Sequence, residues 1–237
     1  RRRLADALVK AGLVPDYRSL LRRVQFVHEP VGLAAFGFAS GSQKPLNALF
    51  FDFGGGTLDL ALIQVEFDDR YGLMLPRHLL ALGGTDWAGS RMDQRLRELA
   101  IRQSPPLRDY LERIEKDGLT IKIDQAKKTF EHMKQELSRV EEATNQPIFG
   151  GIHITIRRGD LELEIAGELR EIEAELGQVE RAAGLTPGQI EAVVMAGGSS
   201  AIPVVQRLLR GRYRLAVDEE RFRCPDASDP HSMEEAI

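Results

Sequence analysis

The stretch FDFGGGTLDL, residues 51–60, sets three consecutive glycines between two carboxylates and next to a hydroxyl. Without a Cβ, Gly54, Gly55 and Gly56 can take positive φ and approach a ligand closely, so that successive N–H groups converge on an anion. Phosphate is the natural guest. Asp52 and Asp59 beside a phosphate make chemical sense when a hard divalent cation, usually Mg²⁺ with several waters, bridges them. Thr57 adds its hydroxyl at the same place. A tight hairpin, with glycines for turn geometry and aspartates for solubility, also accounts for this stretch taken alone. Support has to come from elsewhere in the chain.

Two further glycine turns supply some. LGGTDW (82–87) and MAGGSSAIP (195–203) each follow an apolar run that reads as a strand and precede a helical pattern. That arrangement aims backbone N–H groups at an anion or a nucleotide edge. Either turn alone is an ordinary strand-to-helix connection. Together with the tip and with the helix IDQAKKTFEHM, which carries a lysine pair, they favour a nucleotide cleft. Other glycine motifs fit less well. A Walker loop needs Lys-Ser/Thr after its last glycine, whereas Thr57 is followed by Leu58 and Asp59. A dinucleotide fingerprint opens a helix, whereas the residues after Gly56 read as strand.

These residues need a scaffold, and the hydrophobic periodicity outlines one. Leu49–Phe53 and Leu58–Val65 form a hairpin around the glycines, and a third strand is expected over 72–82. Asp86 or Ser90 is a candidate cap for a helix to about Arg102, ended by Ser104-Pro105-Pro106. Helices follow over 107–117 and 121–140, then a strand in IHITIRR and one long Glu-rich amphipathic helix over 161–183, read as half-solvated. AVVMAGG reads as a buried strand, and Pro203 sits in the first turn of the next helix, where its missing N–H costs nothing. Upstream, residues 1–12 read as a helix, RRVQFVHEP as a short strand and 31–39 as a small-residue helix. Strands and helices alternate throughout, so the class is α/β with inserted α+β material.

Composition excludes several functions. The 237 residues are 43% hydrophobic and 29% charged. The longest nearly apolar run, Pro30 to Ala39, is about half of the ~20 residues that cross a bilayer, so neither a membrane span nor a secretion signal is visible. A single cysteine, Cys224, excludes an internal disulfide and suits a reducing cytoplasm. The five histidines are scattered, which argues against structural zinc. With 32 basic against 36 acidic side chains, no long-range field draws the chain to nucleic acid.

The order and spacing of EPVGLAAFGF, FFDFGGGTLDLALI, LGGTDWAGSRMDQRL, IDQAKKTF and VVMAGGSSAIPVVQRLL resemble the ATPase domain of the seventy-kilodalton heat-shock chaperones. That family belongs to the actin and hexokinase-like superfamily, with two lobes around an ATP cleft. The resemblance implies an actin-like, ribonuclease-H-like lobe with an inserted α+β subdomain, and ATP or ADP with Mg²⁺ as ligands. By position, Asp52 would help hold the Mg²⁺ shell and orient the attacking water, with Glu29 of the E-P motif near the metal. Gly54, Gly55, Gly56 and Thr57 would line the phosphates, and Gly83, Gly84 and Thr85 would meet the phosphate tail. Lys127 and Lys128, with Asp124 where a glutamate is usual, fall where the family grips ribose and adenine. Gly197, Gly198, Ser199 and Ile202 would cradle adenosine, and Glu234 stands at the aspartate of the family's D-E-A-V segment. Bland alternatives exist for several of these: Glu29 as a helix-start carboxylate, the lysine pair as surface residues, and Trp87 as a packing anchor.

The resemblance also implies departures. Ala201 replaces an arginine that packs on adenine, a loss of about 0.5–2 kcal/mol of cation–π contact. Glu131 stands where a small hydroxyl residue is common. The family's first phosphate loop and its phosphate-contacting lysine are expected upstream of Arg1, and one missing donor costs roughly 3 kcal/mol of transition-state stabilisation. The expected organisation is a first-lobe piece over 1–47, a ribonuclease-H-like subdomain over 48–83 and 158–237, and a small inserted subdomain over 84–157. The implied function is nucleotide-dependent lobe closure that controls client or co-chaperone binding in a parent protein, the fragment itself being a poor ATPase. A pseudo-enzyme scaffold of the same fold and a small-molecule kinase are the alternatives.

Overall fold

Leu46–Phe53 (β1) and Leu58–Asp68 (β2) pair antiparallel around the glycine tip, with Phe53 opposite Leu58. The structure, a computed structural model, describes residues 9–12, 45–69, 73–145, 149–215 and 222–224. Glu29, Glu234, the expected strand before Pro30 and the helix over 31–39 lie outside the described residues.

β2 continues into Leu73–Thr85 (β3), which pairs back on it antiparallel. On the other side of β1 lie Ala192–Ala196 (β6) and then Phe222–Arg223 (β7), both parallel, giving the order β3-β2-β1-β6-β7. The continuous apolar runs of β1 and β6 follow from burial on both faces. Leu49, Phe51, Phe53, Leu58, Leu60 and Leu62 enter the main core, whereas Ala48, Phe50, Ala61, Ile63, Val65, Ala192 and Val194 form a second cluster. Each fully buried large side chain contributes roughly 1.5–3 kcal/mol, so slipping the register by one residue would misplace both sets.

Between β3 and β6 the chain builds Gly89–Gln103 (α1), Pro105–Lys116 (α2), Thr120–Leu137 (α3), a small hairpin of Glu142–Thr144 (β4) and Thr155–Arg157 (β5), then Arg158–Glu164 (α4) and Ala166–Ala183 (α5). Pro203–Tyr213 (α6) follows β6. Ile172, Leu176 and Val179 of α5 and Val205 and Leu209 of α6 belong to the same core as Leu96, Leu111, Phe130 and Met133 of the helical insertion. Ser104 separates α1 from α2 as the proline pair predicts. Its hydroxyl accepts from the Leu107 N–H, and Pro105 sits in the first turn, where no donor is lost. Gly184 closes α5 at φ 68°.

Four expectations are corrected. β3 runs on to Thr85, because Gly83, Gly84 and Thr85 pair with Leu60, Asp59 and Leu58 of β2. The Glu-rich helix is two helices broken at Ile165, where ψ is 10°. It is less solvated than its composition indicates: Glu168 and Glu180 are buried, held by Arg91 and Arg95 and by Arg212 and Tyr213 respectively. The IHITIRR strand is only the three residues of β5.

Candidate nucleotide site

β1 and β6 run parallel with Asp52 opposite Ala196, so the loops that leave their carboxyl ends lie side by side. In α/β sheets this is the edge at which ligands bind. Gly197 follows β6 at φ 80°, a conformation that favours glycine, and it presses on β1: a Cβ there would stand 2.5 Å from the Phe53 carbonyl oxygen and 2.7 Å from Asp52 Oδ1. The close approach of these two backbones brings the half-buried Asp52 and the 197–201 turn together.

The tip is held by its carbonyls. The Gly54 N–H donates to the Thr57 oxygen at 3.1 Å, closing the turn. The Gly54 oxygen accepts from the Gly89 N–H at 3.1 Å and from the Ser199 hydroxyl at 2.8 Å, and the Gly55 oxygen accepts from the Ser90 N–H at 2.8 Å. Neither Asp86 nor Ser90 caps α1, contrary to expectation. The residue at the N-cap is Ala88, which makes no side-chain cap, and two orphan N–H groups of the first turn, those of Gly89 and Ser90, are satisfied by the tip instead. With both carbonyls turned inward, the N–H groups of Gly55 and Gly56 have no partner among the described residues. A Cβ at either position would meet nothing within 4 Å. Here too a detail is corrected: none of Gly54, Gly55 and Gly56 is at positive φ, so what glycine supplies at the tip is open space rather than a left-handed turn. The Thr57 hydroxyl is committed to Asp59, 2.9 Å away.

The remaining sequence candidates are distributed unevenly. Gly83 and Gly84 serve the chain's own packing. A Cβ on Gly83 would run into Val179 of α5, and one on Gly84, at φ 144°, into the Leu58 carbonyl. Their N–H groups belong to a strand rather than to a free turn, and the Thr85 hydroxyl donates to the Trp87 oxygen. The hollow beside Gly84 and Thr85, about 450 Å³, is walled by Asp86, Glu171 and Glu175, a sign of charge that repels phosphate. Gly198 is exposed, but Ser199 is buried with its hydroxyl spent on Gly54, and Ile202 is buried in the core. Asp124, Lys127 and Lys128 lie exposed along α3, with Lys127 4.0 Å from Asp124, and none of them takes part in the bonds that hold the tip. Trp87 is a packing anchor, edge-on to Phe53 and under the Arg91 guanidinium at 4.6 Å.

Three residues to which the sequence assigned no part in the site, Ser90 having been expected only as a cap, complete the junction. Gly89 is wedged so that a Cβ would strike the Ser199 hydroxyl, with Lys134 Nζ and the Gly54 oxygen close behind. Ser90 supplies the second N–H. Lys134, with 8% of its side chain exposed, donates to the Gly89 oxygen at 3.0 Å and lies 2.8 Å from Asp93 Oδ1. Its place in the apolar stripe of α3, four residues after Phe130 and three before Leu137, was the available signal. Burial pushes the Asp93 carboxyl above its ordinary range, and Lys134 partly offsets this. Next to it, α1 is tied to α5 by Arg95 and Arg91, whose Nε atoms stand 2.7 and 3.1 Å from the same oxygen of Glu168. Burial alone would raise the Glu168 carboxyl, but the Arg95 hydrogen bond and both guanidinium charges leave it below the ordinary glutamate value.

Comparison with known proteins shows the family. The family model described as Hsp70 protein matches residues 2–216. The chain belongs to the Hsp70 family. It is 30% identical over 198 residues to the chaperone protein dnaK3 of Thermosynechococcus vestitus, covering 80% of this chain and 27% of that protein. It is 25% identical over 194 residues to the chaperone protein DnaK of Mycoplasmoides gallisepticum, with 78% and 31% covered. It is 28% identical over 192 residues to a ribosome-associated molecular chaperone of Saccharomyces cerevisiae, with 80% and 30% covered. The chain thus spans less than a third of the length of these relatives. The family and the sequence motifs identify it as part of an Hsp70-type ATPase domain, a class that binds ATP and ADP. Mixed strands and helices, with a five-stranded sheet and a small two-stranded one, are consistent with the actin-like fold of that domain. Among the described residues, no helix is long and apolar enough to cross a membrane.

Proposed function

We propose that this region holds the phosphates of Mg-ATP or Mg-ADP on the amides of Gly55 and Gly56, with Asp52 at the metal side, in a cytoplasmic chaperone whose lobes close on the nucleotide. The observation that carries the reading is the polarity of the tip: its carbonyls are consumed by Gly89, Ser90 and Ser199, while the N–H groups of the same trans peptide units point the opposite way and have no partner among the described residues. That polarity suits an anion and opposes a cation bound by backbone oxygens. The donor set fits Mg²⁺ only in the manner of nucleotide sites. No group of three ligating side chains exists among the described residues, so one carboxylate, waters and the phosphates themselves would complete the shell. Bound there, the ion would spread the charge that develops during phosphoryl transfer. Asp52 would orient water at that edge, and the tip amides would fix the phosphate positions.

On this reading, 48–83 and 158–237 form the ribonuclease-H-like part of the second lobe, 84–157 its inserted subdomain and 1–47 the end of the first lobe. Closure would gate client or co-chaperone binding elsewhere in the whole protein. A scaffold role without nucleotide is the second reading. It is favoured by the inward turn of Ser199 and Ile202 and by Ala201, whose methyl group cannot stack on a base. Titration calorimetry of the chain with Mg-ADP and Mg-ATP separates the two readings. Saturable binding supports the first, and no heat at millimolar nucleotide leaves the scaffold.

A further inference from the structure

Lys134 is a buried cation that the nucleotide reading leaves without a task. Its ammonium is enclosed by the Gly89 carbonyl, Asp93 and the space beside Ser199 and Gly54. The Gly89 carbonyl belongs to the same residue whose N–H holds Gly54. One residue on, the Ser90 N–H holds Gly55. The chain of contacts therefore runs from α3 through Lys134 to the first turn of α1, and from there to both inward carbonyls of the tip. Lys134 is carried on α3, the helix that also bears Asp124, Lys127, Lys128 and Glu131.

We propose that Lys134 is a positioning residue that locks the first turn of α1 in the one register where Gly89 and Ser90 can hold the tip carbonyls inward, and so keeps the Gly55 and Gly56 amides turned outward. Its relevance to ligand binding rests on the nucleotide reading above; its mechanical role does not. A lysine suits this task because it is charged, has three donors and reaches across from a neighbouring helix. Asp93 balances the charge, which would otherwise be costly to bury. Removing the ammonium leaves the Gly89 oxygen and the Asp93 carboxylate without their shared cation, and the first turn of α1 is then free to tilt away from the tip.

Residue-resolved amide exchange on the full chain tests this, comparing wild type with Lys134→Met and with Asp93→Asn, which keeps the Gly89 contact. In Lys134→Met the Gly89 and Ser90 amides should exchange at least tenfold faster, with the amides of Leu176 to Val179 in α5 unchanged. Asp93→Asn should give a smaller increase at the same two positions. Calorimetry adds a readout that general loosening would not produce: Lys134→Met should weaken Mg-tripolyphosphate at least tenfold while leaving adenosine unaffected. Unchanged exchange at Gly89 and Ser90 in a folded Lys134→Met overturns the proposal, as does an equal loss of tripolyphosphate and adenosine. If the wild-type chain binds neither probe, the nucleotide reading fails, and the exchange rates still decide the role of Lys134. Should Lys134→Met not fold, Lys134→Gln, which keeps a donor without the charge, is judged by the same exchange criterion.

Discussion

The glycines of the 54–56 tip and those at 84, 89 and 197 look alike in the sequence and do opposite things in the fold. At Gly84, Gly89 and Gly197 the space for a Cβ is already filled by the chain itself: the Leu58 carbonyl, the Ser199 hydroxyl and the Phe53 carbonyl. At Gly55 and Gly56 that space is empty. The first set lets strands, turn and helix come together closely enough to form the junction, and the second keeps the junction's outer surface bare. A glycine-rich motif thus mixes residues that the fold needs with residues that only a ligand needs, and stability and binding measurements separate them.

The largest effect is expected on the packed side. Gly197→Ala and Gly84→Ala each place a methyl group against a backbone carbonyl at positive φ, so each should cost about 3 kcal/mol or more, measured as a fall in the denaturant midpoint. A loss below about 1 kcal/mol would show that the backbone gives way easily, and the contrast would collapse. Next is the clamp that fixes α1 beside the tip. Glu168→Gln should cost about 2 kcal/mol at neutral pH, within the range for charge-assisted hydrogen bonds. Because the folded carboxyl lies below its ordinary value, its contribution is present above about pH 4.3 and is lost as pH falls through the folded value. Denaturation curves of wild type and variant should therefore converge in acid. Parallel curves would mean that the charge of Glu168 contributes nothing.

Gly89→Ala tests the boundary between the two kinds. It should cost about 1–2 kcal/mol and also weaken Mg-ADP, since the methyl group displaces Ser199 and Lys134 from the tip; a stability loss with intact affinity would detach the junction from binding. The smallest change in stability belongs to Gly56→Ala. With room for the methyl group and no positive φ, the folded chain should be unaffected or gain up to about 1 kcal/mol. Mg-ADP affinity should nevertheless drop at least tenfold, which calorimetry reads directly.

Much of the fold was legible because burial on two sheet faces writes long apolar runs, as in β1 and β6, and because Ser104-Pro105-Pro106 and Gly184 act through local backbone chemistry. The hairpin and the strand-to-turn step at Gly197 followed from the same signals. The break at Ile165 did not, since the amphipathic pattern runs through it and the nearby Gly167 lies inside the second helix rather than ending the first. The burial of Glu168 was hidden for a related reason. A glutamate is read as solvated until two arginines from another helix are placed against it, and those arginines are more than seventy residues away in sequence.

The site divides in the same way. Residue type and spacing alone determined that a glycine tip with flanking carboxylates lies between strands, and that the chain carries the motifs of its family. Tertiary structure alone decided which atoms of that tip point outward. The direction of a peptide group depends on the partners its carbonyl finds, and here these are Gly89, Ser90 and Ser199, brought in from α1 and from the turn after β6. It also decided that Gly83 and Gly84 belong to a ladder, and that a lysine on α3 lies buried behind the tip. Such facts depend on contacts across long sequence separations, which local propensity does not encode.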